Sequence, residues 1–226
     1  MSEMPVPMAN ATGDIAMGSL RQGWETFKSR VVPTYVLLIV FVVIISCLGL
    51  AVRILTGGDG GAGEGYRPLS GLGQLVFNVI NVVLGGGLGL GLLKIIRGEE
   101  APIGVLFSGI GKVVPLVVAT VISAVLVTIG LILLVIPGIV AGLGLSQALF
   151  LVMDRDLDGV AAVKASWAMM KGYKLSLLIL ELVILVMVLV SLIPLGLGLF
   201  VSIPVAALAS AAFYNRLVAA NPPGMM

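Results

Sequence analysis

The chain reads as an all-α, polytopic membrane protein. The expected architecture is a bundle of six transmembrane helices arranged as three parallel helical hairpins, each preceded by a cytosolic interfacial amphipathic helix. Three observations predict it. Of 226 residues, 59% are hydrophobic and only 11% charged, with a mean hydropathy of +1.20; a soluble domain carries about 25% charged residues. Uncharged runs of spanning length alternate with short basic segments. One amphipathic pattern with a central Trp occurs twice, and a weaker copy lies between.

The spans follow in order. Val31–Val52 is a run of 22 uncharged residues between Arg30 and Arg53, and a span needs about 20. Thr56–Pro68, TGGDGGAGEGYRP, reads as a flexible Gly-rich loop. It lacks the strand, helix and Lys-Ser/Thr pair of a phosphate-cradling loop. Leu72–Leu93 is the second span. Val113–Met153 holds 41 residues without a charge, which fits two helices broken at Pro137-Gly138. Leu175–Ile193 spans, Pro194 breaks the helix, and Leu195–Tyr214 returns with a kink expected at Pro204.

The amphipathic pattern sits at Asp154–Lys174, the most charged part of the chain. Val160, Val163, Trp167 and Met170 fall at spacings 3, 4, 3 and predict one apolar helix stripe. Lys164 and Lys171 flank it, and Asp158 is placed as N-cap. Near the N-terminus Met17, Leu20, Trp24 and Phe27 repeat the spacing, flanked by Arg21 and Lys28. Thr12 or Asp14 is placed to cap this first copy. Trp favours the headgroup level, and flanking cations can extend apolar stems toward lipid phosphates. The alternative is a helix packed on its own bundle without lipid contact. In the middle copy Lys112-Val-Val-Pro115 echoes Arg30-Val-Val-Pro33. There Ile103, Leu106, Phe107 and Ile110 predict a helical apolar face, with Pro102 at the first helical position.

The predicted organisation is a flexible tail over 1–13, one membrane domain over 14–215, and a flexible tail over 216–226. The domain divides into repeats over 14–94, 95–153 and 154–215. Of 13 Lys and Arg, 11 fall on one side of the six spans; only Arg53 and Arg67 fall opposite. Cation bias places both termini in the cytoplasm of a bacterial inner membrane. The N-terminus lacks a basic region leading into a short apolar core, so no cleavable signal peptide is expected. Three repeats inserted in one sense are parallel rather than inverted.

Chemistry has few places to reside. There is no His, which excludes His-dependent mechanisms and most transition-metal sites. Cys47 is alone, so no intrachain disulfide can form. Net charge +2 without a basic run argues against nucleic acid. Glu181 is the charged residue inside a span, and an intramembrane carboxylate is a functional candidate. Its structural alternative is a neutral Glu bonded to Asn81, Asn78 or a backbone carbonyl. Gln74, Asn78, Asn81 and Gly85 fall on one face of the second span, and Gly85, Gly87, Gly89 and Gly91 form small-xxx-small pairs suited to helix packing. Asp154, Asp156, Asp158 and Gly159 match the opening of a calcium-binding loop, but Ala165 stands where its bidentate Glu belongs. No metal or cofactor is expected, and Ser146, Ser166 and Ser191 lack a catalytic base.

The run Ile136-Pro-Gly-Ile, Ala148, Met153-Asp154, Ala161-Ala-Val-Lys164-Ala-Ser-Trp167 and Lys171-Gly172 resembles a set of prokaryotic membrane families over residues 14–215. They include the YciC-like proteins and the membrane domain attached to some glycerophosphodiester phosphodiesterases. The resemblance implies the fold and carries no catalytic residue.

The leading expectation is a non-enzymatic membrane scaffold or accessory subunit. Its partners are the lipid bilayer and either further copies of itself or the subunits of a membrane complex. The alternative is a channel or transporter for a small solute, ion or lipid, using Glu181 and the polar face of the second span. A third class is a membrane domain that regulates a separate enzyme.

Overall fold

A computed structural model of the chain describes residues 8–56, 68–193 and 196–221; these form helices and the turns between them, with no strand among them. The Gly-rich loop, Pro194 and the two extreme termini lie outside the described residues. The elements are α1 (Met8–Ser29), α2 (Val31–Thr56), α3 (Pro68–Ile96), a 3-10 helix (Ile103–Lys112), α4 (Val113–Leu133), α5 (Val135–Leu145), α6 (Ala148–Arg155), α7 (Gly159–Met169), α8 (Lys174–Leu192) and α9 (Leu199–Ala220). Six stretches are long and apolar enough to cross a membrane: α2, α3, the 3-10 helix with α4, α5 with α6, α8 and α9.

Neighbours in sequence pair in space: α2 lies on α3, α4 on α5, and α8 on α9. The returning helices then meet. α3 packs on both α6 and α9, and the rings of Phe150 and Tyr214 join α6 to α9 at 5.0 Å between centroids. Three further segments wrap this junction. α1 lies on α9 and α8, the 3-10 helix on α3, and α7 on α4 and α6.

Burial is one-sided. Leu93 and Ile95 of α3, Leu151 and Val152 of α6, and Leu208 and Phe213 of α9 are buried at the end where those segments wrap. At the opposite end Leu50, Leu72, Ile132, Ile136, Leu189 and Ile203 are exposed. Apolar surface on that scale suits hydrocarbon, which supplies no drive for helices to bury leucines against one another.

Several sequence expectations change. α1 reaches back to Met8, so Asp14 lies inside the helix and does not cap it. α9, with Pro204 inside it, runs on to Ala220, past the expected end of the domain. The turn between α4 and α5 falls at Leu134, whose backbone is extended (φ −165°, ψ 144°). Pro137 lies in the first turn of α5, where a missing N–H leaves no helical bond unmade. Gly138 serves close approach instead: a Cβ added at Gly130 would lie 2.9 Å from its Cα. The fourth span is interrupted at Ser146-Gln147, which the apolar run gave no sign of.

The middle amphipathic segment is a 3-10 helix, with Pro102 just before its start. Its side chains eclipse every third residue. Ile103 and Leu106 therefore lie on one face and Phe107 and Ile110 on another, so the four do not form a single stripe; of them Leu106 is buried, while Ile103, Phe107 and Ile110 are exposed. Glycines let this segment approach α3 backbone to backbone. A Cβ at Gly87 would clash with the Leu106 carbonyl oxygen, and one at Gly109 with that of Val83. Gly85, two residues away, would meet nothing within 4 Å. Gly87→Ala should therefore cost about 2 kcal/mol or more through overpacking, while Gly85→Ala should be neutral or gain up to about 1 kcal/mol of helix propensity. Unfolding of the full chain in mild detergent measures both.

Candidate functional site

The ends of the returning helices form the most polar region of the bundle. Helix C-termini leave carbonyls without partners. α3 stops at Gly98, which takes φ 81°, a left-handed conformation glycine adopts without steric cost. The Arg30 guanidinium then donates to the Gly98 and Glu99 carbonyls at 2.7 and 2.9 Å. α6 stops at Asp156, φ 57°. There the Lys112 ammonium donates to the Val152 and Met153 carbonyls at 3.2 and 3.0 Å and pairs with Asp156 at 2.7 Å. Arg30 and Lys112 are the matching cations of the two Val-Val-Pro sequences. Each serves the returning helix of its own hairpin.

At the centre Arg97, just past α3, meets Asp154 of α6 in a two-pronged ion pair of 2.6 and 2.9 Å. Tyr214 of α9 donates its hydroxyl to the same carboxylate at 2.9 Å, and Arg97 Nε donates to the Asn215 side chain at 3.1 Å. Side-chain exposure is 29% for Arg97 and 10% for Asp154. The hydrogen bonds to Asp154 hold the Arg97 guanidinium above its ordinary pKa, against the opposing effect of burial. Sequence reading missed this cluster, because its members come from three separate helix ends.

The acids of the Asp154–Asp158 run therefore part company. Asp154 goes to Arg97 and Tyr214, Asp156 to Lys112, and Asp158 caps α7 by accepting from Val160 N and Ala161 N at 2.9 and 2.8 Å. Three diverging carboxylates do not make the opening of a calcium loop. Among the described residues no group of three His, Cys, Asp or Glu could hold a metal ion.

The interruption of the fourth span is bridged from α7. Ser166 Oγ donates to the Gly144 carbonyl at 2.9 Å and accepts from Gln147 N at 3.2 Å. One hydroxyl thus joins the backbones of α5 and α6 across the break. Gln147 Nε2 donates to Ser146 Oγ at 2.8 Å, while its buried Oε1 has no partner among the described residues.

The residues of the two Trp stripes divide between two surfaces on both helices, with Leu20 half-buried and Val163 buried. Met17 and Trp24 of α1 are exposed and Phe27 is buried; Val160 and Trp167 of α7 are exposed and Met170 is buried. The inward faces carry small residues instead: Ala16, Ser19 and Gly23 on α1, and Gly159, Ala162 and Ser166 on α7. Trp24 and Trp167 are 43% and 44% exposed. A Lys ammonium stands over each ring, Lys28 at 5.5 Å and Lys174 at 3.4 Å. Lys174 reaches Trp167 only because the chain reverses at Gly172 (φ 88°), so sequence spacing did not mark it. Arg21 pairs with Glu25 at 2.8 Å; Lys164 and Lys171 are exposed.

No hydrogen bond joins Glu181 of α8 to the polar residues of α3 among the described residues. Glu181 lies exposed on α8 beside exposed Leu182 and makes no hydrogen bond to Asn78 or Asn81. Gln74 Nε2 donates to Asn78 Oδ1 at a long 3.5 Å on an exposed face. The α3 glycines serve different neighbours. A Cβ at Gly91 would meet Val105 and Leu37 at 2.9 and 3.1 Å, and one at Gly89 the Phe150 ring at 3.3 Å. Gly86, which the four-residue spacing passed over, would meet Leu116 and Met153 at 3.2 and 3.3 Å.

Removing one member of a largely buried pair leaves an uncompensated charge. Arg97→Leu should destabilise the chain by about 2–4 kcal/mol, and Tyr214→Phe by about 1 kcal/mol. Arg97→Leu with Asp154→Leu should cost less than the sum of the two single changes. A double-mutant cycle read by unfolding in detergent checks the coupling.

No curated protein and no solved structure matches the chain. Residues 105–221, from the 3-10 helix to the end of α9 and more than half of the chain, match a family described as "Protein of unknown function (DUF975)". The chain belongs to that family.

Proposed function

We propose that the protein is a non-enzymatic integral membrane scaffold or accessory subunit, acting through its interface helices and through helix–helix assembly. The observation that carries this reading is the matched pair of half-exposed Trp rings, each under a Lys, on α1 and α7. Such rings and cations suit the headgroup layer, where apolar bodies and charges are both accommodated. The apolar ends of the hairpins, left uncovered opposite that layer, offer surface for partner spans in the bilayer.

The same reading includes three parallel repeats over 14–94, 95–153 and 154–215. It is supported by a cyclic pattern of contacts: α1 lies on the third hairpin, the 3-10 helix on the first, and α7 on the second. The shared use of Arg30 and Lys112 also supports it. Cation bias argues for a bacterial inner membrane with both termini in the cytoplasm. Kinship with the YciC-like and phosphodiesterase-linked membrane families belongs to this proposal and rests on the sequence motifs alone.

The chain has two Trp residues, so each can report alone. Trp24→Phe leaves Trp167, and Trp167→Phe leaves Trp24. In bilayers with lipids brominated at graded depths, both should be quenched most by bromines nearest the headgroups. Equal insensitivity at every depth would end the interfacial reading.

A second reading, a channel or transporter, draws on one observation: Glu181 presents a carboxylate on the outer surface of a spanning helix, among leucines. A partner copy could close a polar path against it. Solute or ion flux in proteoliposomes that Glu181→Gln reduces at least tenfold, with assembly unchanged, would favour this reading. Flux unaffected by both Glu181→Gln and Glu181→Leu would remove it.

A further inference from the structure

A cavity of about 610 Å³ lies between α6 and α7, on the side where the bundle is closed. Arg155 and Lys164 line it together with an apolar surface. Leu151 and Leu157 contribute branched side chains. Ala161, Ala165 and Ala168 form one face of α7 and give it a smooth wall. The cavity owes its width to those alanines.

Its lining carries two cations and no acid. Arg155 stands within a run of three acids, yet each acid is engaged elsewhere. Asp154 gives its oxygens to Arg97 and Tyr214, Asp156 pairs with Lys112, and Asp158 holds the first amides of α7. Among the described residues neither Arg155 nor Lys164 forms an ion pair or side-chain hydrogen bond. Two cations without a direct ion pair thus border an apolar hollow, Arg155 sensing the Asp154 carboxylate only at longer range. An amphiphile with an anionic head complements both parts. Arg suits a phosphate because its planar fork can present two donors, and Lys adds a point charge.

We infer that this cavity is a binding site for one anionic phospholipid. Arg155 and Lys164 take the phosphate, and the start of the acyl region lies along Ala161, Ala165 and Ala168. The inference rests on the interfacial placement of α7 proposed above, and it narrows that placement from a general affinity for the headgroup layer to one seated lipid.

The test uses the full chain in nanodiscs holding equal phosphatidylglycerol and phosphatidylcholine, with retained lipids counted by native mass spectrometry. The wild-type chain should keep one phosphatidylglycerol per copy. Arg155→Gln with Lys164→Gln should lower the ratio of retained phosphatidylglycerol to phosphatidylcholine by about tenfold, given the attraction of each cation to an anionic surface. Ala165→Leu, which fills the wall and keeps both charges, should also lose the lipid. Lys171→Gln removes a cation of the turn after α7, outside the cavity, and should retain it. Retention in the double variant or in Ala165→Leu, or equal loss in Lys171→Gln, would overturn the site. Displacement of the lipid by millimolar inorganic phosphate would overturn it in favour of a soluble anion. Quenching of Trp167 by brominated lipids reports separately whether α7 lies at the interface, so the site can fail while the placement stands.

Discussion

The carboxylate of Asp154 is the point on which the bundle closes. It receives Arg97 from the end of α3 and Tyr214 from α9, while its own backbone belongs to α6. The three returning helices have little else of polar character in common. An exposed ion pair contributes little to stability, but this carboxylate is largely buried, and its lone pairs have specific donors. Once the pair exists, the helix ends are held in register, and Phe150 can stack on Tyr214 one turn deeper. The neighbouring cations Arg30 and Lys112 then cap carbonyls that would otherwise end in an apolar layer.

That closure explains why the molecule is tight at one end and loose at the other. Around the polar junction, α1 and the 3-10 helix pack on returning helices, and α7 packs on α4, through small residues. Gly23 would place a Cβ 2.8 Å from the Ala209 backbone, and Gly159 one 2.6 Å from the Pro115 carbonyl. Contacts that close depend on dispersion and geometry, which operate equally in water and lipid. At the far end, among the described residues, no glycine links one hairpin to another in this way. Leucine against leucine offers no more than leucine against an acyl chain, and the hairpins keep their apolar surfaces uncovered.

Much of the fold was legible because membrane insertion writes itself into composition. Uncharged runs of spanning length and basic connections suffice to place six apolar helices, and they come out as such. Positions that depend on distant backbone were not legible. Leu134, not Pro137, makes the hairpin turn, since a proline in the first helical turn displaces no hydrogen bond. The break at Ser146-Gln147 is held by Ser166, 20 residues further along the chain from Ser146, and nothing local announces it. The Trp stripes misled in an instructive way. A spacing of 3 and 4 identifies neighbours on a helix surface, but the inward face was chosen by Ala16, Ser19 and Gly23, whose small size reads as neutral in an apolar pattern. Likewise three acids at alternate positions resembled a ligand set until the chain turned between them at Asp156, which takes φ 57°.

The distribution of cations carries the synthesis one step further. Eleven of the 13 lie on one side of the spans, a bias usually read as an orientation signal alone. Here many are also structural. Arg30 and Lys112 cap helices, Arg97 joins three of them, Arg216 donates to Gln22 of α1 at 3.1 Å, and Lys28 and Lys174 cover Trp rings. A cation held by carbonyls and carboxylates is already compensated and has little attraction left for lipid. The pull of the protein on an anionic surface must therefore come mainly from the cations left over, and on α6, α7 and the turn that follows these are Arg155, Lys164 and Lys171. Folding, by consuming charge in some places, decides where charge remains available in others.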